Sequence, residues 1–388
     1  MISFDNTEIA FRSKSKASLN RAYWLFKIIG NPTMVKVGKS LTMFALKAHL
    51  PINGMIKRTI FAQFCGGENI TECSKTIDQL SKFGIGTILD YSVEGKTSDE
   101  DFEATVQEII DTILTAAKHS SIPFAVFKIT GIAEFSILEK SNNNFEDLND
   151  DERERYQKIV SRVDKICKSA FDNKVPVFID AEESWIQDTI DRICLDMMKK
   201  YNRSESIVFN TLQMYRHDRL SYLNEMIDLA KKGGFHYGIK LVRGAYMEKE
   251  RERAEQFGYT SPIQPNKESS DRDFNLALET IIENISHVSL CAGTHNEESS
   301  LYLTELIEKH GLEKNDKRIY FAQLLGMSDH ISYNLSDGGY NVAKYVPYGP
   351  VKEVMPYLLR RANENTSVAG QTSRELTLII REKKRRNS

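Results

Sequence analysis

The chain has 388 residues, 41% of them hydrophobic and 27% charged, with a formal net charge of −2. This is the make-up of a globular protein with room for one large α/β domain and an appendage, and it carries no overall field that would draw nucleic acid. The five cysteines (Cys65, Cys73, Cys167, Cys194 and Cys291) form no C-x-x-C pair, which fits reduced intracellular thiols better than a disulfide framework.

The opening residues, MISFDNTEIA, lack a basic stretch followed by an apolar core, so no secretory signal is expected. Residues 1–85 read as a helical segment. SKASLNRAYWLFKIIG ends on Gly30 ahead of Asn-Pro, and ITECSKTIDQLSKFG ends on Gly84, both helix stop signals. The run YWLFKII is interrupted by Lys27 and is far shorter than the roughly 20 residues of a spanning helix. Arg12, Lys14, Lys16 and Arg21 stand around its approach, a pattern that suits an anionic membrane surface. The preferred reading is a helix packing its apolar face on the main domain, because Asp5 and Glu8 dilute the charge.

From residue 87 onward, short apolar and β-branched runs alternate with helical stretches. The predicted strands are 87–92, 123–130, 175–183, 206–212, 237–244, 288–295, 319–325 and 341–349. Most lack strict alternation, as strands buried on both faces of a parallel sheet do. Eight of them with intervening helices predict an α/β fold, a (β/α)8 barrel spanning 86–366, with a doubly wound open sheet as the alternative. The segment SNNNFEDLNDDERERY (141–156) reads as a polar loop running into a solvated helix. Residues 367–388 read as a C-terminal tail with a basic end.

Several motifs are excluded. GKS at 38–40 has Thr33 where a phosphate-binding loop needs glycine. No G-x-G-x-x-G occurs, which argues against a Rossmann site. No H-E-x-x-H or zinc-spaced cysteines point to a metal, and no G-x-S-x-G marks a serine nucleophile.

In a parallel barrel the strands deliver functional side chains at their C-terminal ends. Here the runs finish on Asp90, Lys128, Asp180 with Glu182, Gln213, Lys240 with Arg243, His295 with Asn296, Gln323 and Tyr345. Barrel rims are polar in any case. Lys128, Asp180 and Lys240, however, lie inside strongly apolar runs, where an unpaired charge is costly. Lys128 and Asp180 would neutralise one another if their strands are neighbours. After the last strand, Tyr357, Arg360, Arg361 and Glu364 share one arc of a helix, with apolar residues opposite. The arrangement accommodates either an ordinary surface ion pair or a clamp for a zwitterion: two guanidiniums for a carboxylate, one carboxylate for an ammonium.

The stretches ILDYSVEG (88–95), KLVRGAYMEKERERA (240–254), THNEES (294–299), QLLGMSD (323–329) and KYVPYGPVKEVMPYLLRRANEN (344–365) resemble the proline dehydrogenases, in the family's order and over about residues 60–365. The resemblance is greatest to the stand-alone form, since no aldehyde dehydrogenase domain follows. It implies a distorted TIM-type barrel with the last helix over the barrel mouth. It also implies non-covalent FAD and oxidation of L-proline to Δ1-pyrroline-5-carboxylate, by hydride transfer from C5 to flavin N5. Electrons would pass to a membrane quinone, which requires transient contact with a membrane surface. The compartment implied is the cytoplasm, peripheral to the inner membrane, or the mitochondrion in a eukaryote.

Carried over residue by residue, the resemblance makes Arg360 and Arg361 the grip on the proline carboxylate, with Glu364 ordering the site and Tyr357 on the same helix. Tyr345 packs on the proline ring, and Lys128, Asp180, Tyr246 and Leu324 match other pocket positions. Gln213, Lys240, Gly244, Ala245, Thr294, His295 and Asn296 match flavin contacts, with Lys267 as a further one. Some family members have arginine in place of Lys240. Hydroxyproline-specific relatives have a smaller residue in place of Tyr345, so proline is the expected substrate. The alternatives are a hydroxyproline dehydrogenase, a Schiff-base lyase using Lys128, and an amino-acid-binding barrel without turnover.

Overall fold

Each of the eight predicted runs overlaps a strand in the computed structural model: β1 (Ile85–Tyr91), β2 (Phe124–Phe127), β3 (Val177–Ile179), β4 (Val208–Gln213), β5 (Tyr237–Val242), β6 (Val288–Gly293), β7 (Ile319–Leu324) and β8 (Val342–Tyr348). They form a closed parallel barrel in chain order. The structure describes residues 2–31, 33–36, 38, 53–93, 97–367 and 371–387, without the side chains of 362–367 and 371–373.

The chain divides into two compact units, residues 1–94 with 323–388, and residues 95–322. In the second unit, helices alternate with β2–β7. Their starts are set by side chains that accept otherwise unsatisfied amide hydrogens: Ser98 for the helix Asp99–Ala116, Asn266 for Lys267–Glu283 and Asn296 for Glu297–Lys309. The polar segment at 141–156 resolves into the end of a helix (Phe135–Asn143), a short turn, and the start of a long helix (Asp150–Asn173). Asn149 and Glu152 form a reciprocal capping box at the start of that long helix.

Strands β2 and β4 are buried throughout. Near the N-terminal ends of the strands, the rings of Phe124, Phe178, Phe209 and Tyr320 pack together, Phe124 stacking on Phe178 at 4.4 Å between centroids and meeting Tyr320 edge-on at 4.8 Å. Gly238 makes room for this layer, because a Cβ there would lie 2.7 Å from the Phe209 ring and 2.6 Å from the Val208 carbonyl oxygen.

In the first unit, β1 pairs in parallel with β8, with Ile88 opposite Tyr345. The helix Lys16–Ile29 starts on a Ser15 cap, ends at Gly30, and buries Leu19, Ala22, Phe26 and Ile29. Residues 371–385, expected as part of a tail, form a helix whose Leu378 and Ile379 pack with Ala10, Phe11, Leu19, Ala22 and Phe26. The Arg386 guanidinium donates to the carbonyls of Phe11 and Lys14, 2.7 Å each. Two of the four N-terminal cations pair with acids of the same unit, Lys14 with a buried one and Arg12 at the surface. Lys14 lies 3.0 Å from Asp329, which also binds the fully buried Lys344 at 2.9 Å, and Arg12 lies 2.7 Å from Asp337. Burial works against charge at Asp329, yet Lys14 and Lys344 hold its carboxyl well below the usual carboxylate range. No described helix is long and apolar enough to cross a membrane.

Candidate active site

The chemistry in the second unit centres on one buried carboxylate. Lys128 follows directly after β2 and Asp180 directly after β3; the two strands are neighbours in register, and Lys128 Nζ lies 2.8 Å from Asp180 Oδ2. The second carboxylate oxygen accepts from the ammonium of Lys240, on β5. Asp180 and Lys240 are both buried, and the Lys240 ammonium also stands 5.4 Å from the centroid of Phe178, in the aromatic layer. Burial opposes charge on Asp180, but the two ammoniums outweigh it and hold the carboxyl well below its ordinary range.

Glu182, absent from the expected site residues, belongs to this cluster. It is buried, and its carboxylate accepts from the Thr130 amide at 3.0 Å and from the Thr130 hydroxyl. It thereby fixes the tight turn Ile129–Gly131 that immediately follows Lys128. Burial pushes its carboxyl up to about 7, against the Thr130 hydrogen bonds and the charge of Lys128. The sequence placed Glu182 at a strand end but gave no sign of its burial or of its bond to the next-door turn.

Around the same strand ends, Gln213 closes β4 and is buried, and among the described residues its Oε1 has no hydrogen-bond partner. Gly244 has φ +130°, and a Cβ there would come within 2.5 Å of the Tyr215 ring, so only glycine fits. Gly244 and Ala245 are exposed, and the half-buried Tyr246 precedes the helix Met247–Phe257. After β6, Thr294 is buried and accepts from Arg243 at 2.7 Å, while Asn296 caps the next helix. His295, between them, is half-buried. Lys267 is exposed at the first turn of its helix and pairs with Asp271, which also holds Arg243 at 2.6 Å.

In the first unit, Tyr345 is half-buried on β8, its neighbour Lys344 facing the other side of the strand toward Asp329. The arginine helix runs Met355–Ser367. Its predicted polar arc is not a solvated face: Tyr357 and Arg361 are 5% and 8% exposed, and the Arg361 guanidinium lies 5.0 Å from the Tyr357 ring centroid. Arg360 is half-buried. Leu324 packs against the apolar cluster that contains Tyr357 and Leu358. The Glu364 side chain lies outside the described residues.

A closed parallel barrel with charged side chains buried at its strand ends defines a TIM-barrel protein of enzyme type. The proline dehydrogenase family profile matches residues 73–374. The chain is 32% identical, over 98% of its length, to a protein named proline dehydrogenase 1, mitochondrial, of Dictyostelium discoideum, covering 74% of that protein. It is also 32% identical, over 97% of its length, to a hydroxyproline dehydrogenase of Xenopus laevis, covering 88% of it. The crystal structure of proline utilization A from Bdellovibrio bacteriovorus, inactivated by N-propargylglycine, matches with a TM-score of 0.73 at 20% identity. That match covers 93% of this chain and only 38% of the longer one, and it bears on the fold alone. The chain belongs to the proline dehydrogenase family and is by that membership an oxidoreductase.

Proposed function

We propose that the protein oxidises L-proline to Δ1-pyrroline-5-carboxylate with a non-covalently held FAD, and passes the electrons to a membrane quinone. The observation that carries this reading is the buried Arg361, a guanidinium removed from water on the helix that follows the last strand. A planar carboxylate matches the fork of a guanidinium held in this way. Arg360 and Arg361 are assigned to the substrate carboxylate and Tyr345 to one face of the ring. Tyr357 and Leu324 form the wall behind the arginines, Tyr246 borders the pocket, and Glu364 is assigned to ordering the pair.

The residues present fit a flavin. Gln213 offers a buried acceptor oxygen with no donor among the described residues, the Gly244–Ala245 backbone is open to close approach, and Lys240 is a buried cation able to balance negative charge on a ring system. Thr294, His295, Asn296 and Lys267 would hold its polar end. When bound, the flavin supplies the acceptor for two electrons and the C5 hydrogen, leaving proline as the imine.

The chain's own part is orientation and charge. The arginines fix the carboxylate, Tyr345 limits how the ring can tilt, and Asp180 keeps the Lys128 and Lys240 ammoniums in place. Removing the substrate's ammonium proton is needed before hydride can leave. Because a relative of similar identity is named for hydroxyproline, that substrate is the second reading; Tyr345 would crowd a 4-hydroxyl and favours proline.

The decisive experiment is the absorbance spectrum of the purified protein, followed by anaerobic addition of L-proline. A flavin spectrum that bleaches, with FAD released on denaturation, is expected. A protein that takes up no flavin on reconstitution, or a flavin that proline leaves oxidised, overturns the proposal. Borohydride trapping of a carbonyl compound on Lys128 would instead support a lyase.

A further inference from the structure

The outer faces of the first long helix (Lys16–Ile29) and the last one (Gln371–Arg385) form one continuous surface. The two helices pack side by side within the same unit. Their seam is closed by cation–π contacts: Lys383 Nζ stands 4.1 Å from the Tyr23 ring centroid, and Lys27 Nζ lies 5.8 Å from Tyr23 and 5.1 Å from Trp24. A shallow groove between them is lined by Tyr23, Ile380, Lys383, Lys384 and Asn387.

The charge on this surface is one-sided. The helix Lys16–Ile29 contains no acidic residue, and its outer face carries Lys16, Arg21 and Lys27. The last helix does contain carboxylates, but Glu375 and Glu382 are both turned inside, Glu382 against Arg385 and Arg386. The nearest outward acids, Asp5 and Glu8, face Arg374, Arg381 and Arg385 at 3.0–3.7 Å, at one edge. What remains is basic, on a chain whose overall charge is −2.

Set among these cations are apolar side chains that water does not favour: Trp24 is 58% exposed, Ile28 42% and Ile380 38%. A basic field alone would suit any acidic polymer, but a polymer would use the lysines and leave the isoleucines wet. An indole flanked by lysines, with aliphatic groups beside it, has the composition of a surface that sinks into the headgroup layer of a membrane. We infer that this two-helix face docks on anionic lipid bilayers. The inference deepens the reading of a quinone acceptor given above and rests on it for its purpose; the binding itself is argued from charge and exposure alone.

The test is co-sedimentation of the full protein with vesicles of phosphatidylcholine containing about one third phosphatidylserine, against phosphatidylcholine alone. The chain has two tryptophans, so the Trp24→Phe variant isolates the Trp24 signal. Binding to the anionic vesicles with a blue shift of emission is expected, the shift being lost in Trp24→Phe. Each lysine near an anionic surface is worth roughly a fivefold factor in partitioning, so Lys383→Gln with Lys384→Gln should weaken binding about thirtyfold. Dye-coupled proline oxidation, which needs no vesicle, should be unchanged in both variants and separates this proposal from the catalytic one. Equal binding by the wild type and the double variant, no emission shift, or retention by an acidic protein without vesicle binding would overturn it.

Discussion

Asp180 accepts from Lys128 through one carboxylate oxygen, at 2.8 Å, and from Lys240 through the other. One buried carboxylate therefore holds two ammoniums. Asp180→Ala should lose about 3–5 kcal/mol of stability, the cost of orphaning a buried charge. Adding Lys240→Met should recover part of that loss. Urea titration of the single and double variants measures both. A single variant as stable as the wild type would show that the cations find another partner.

Glu182 provides a pH signature. Its carboxyl is raised from 4.5 to about 7, so the native state binds its proton more tightly than the unfolded state does. The associated stability is full below about 4.5, is lost as pH rises through about 7, and stays lost above that. Linkage puts the change on the order of 3 kcal/mol, subject to the neighbouring charges. Glu182→Gln should flatten the dependence of the urea midpoint between pH 5 and 8. An unaltered slope would assign the titration to another group.

The Arg361 guanidinium lies 5.0 Å from the Tyr357 ring centroid, and the proposed carboxylate grip would use its planar fork as well as its charge. Arg361→Lys keeps the charge and loses the planar fork, and should raise KM for proline by about 10- to 100-fold, as expected for losing one charge-assisted hydrogen bond. A KM within twofold of wild type would remove Arg361 from the carboxylate site.

Tyr345 sits on β8 opposite Ile88 and is the proposed gauge of the substrate's C4 position. Tyr345→Ser should raise kcat/KM for 4-hydroxyproline relative to proline, with the ratio moving by about tenfold, the scale of one packing contact in a pocket. Measuring both substrates on the same preparation decides it, and an unchanged ratio refutes the assignment.

The barrel was legible because its strands are buried on both faces and therefore appear as unbroken apolar runs. The Lys128–Asp180 contact followed from neighbouring strands once those runs were ordered. What escaped was set by contacts between segments distant in sequence. Lys14 reads as a surface cation, but the buried Asp329, more than 300 residues away, takes it inward, whereas Arg12 stays exposed and pairs with Asp337 at the surface. The last helix was hidden because charges dominate its composition. Its apolar anchors, Leu378 and Ile379, lie between two carboxylates that burial alone distinguishes from solvated ones. Glu182 was visible as a strand-end acid, but its bond to Thr130 depends on how β2 turns after Lys128.

The aromatic layer of Phe124, Phe178, Phe209 and Tyr320 has a kinetic consequence. These rings pack together on the N-terminal side of Lys240, so the reactive end of the barrel is the one at the strands' C-terminal ends. On the proposed reaction, proline and the electron acceptor would take turns at the strand ends, and initial rates measured across both concentrations should give parallel double-reciprocal lines.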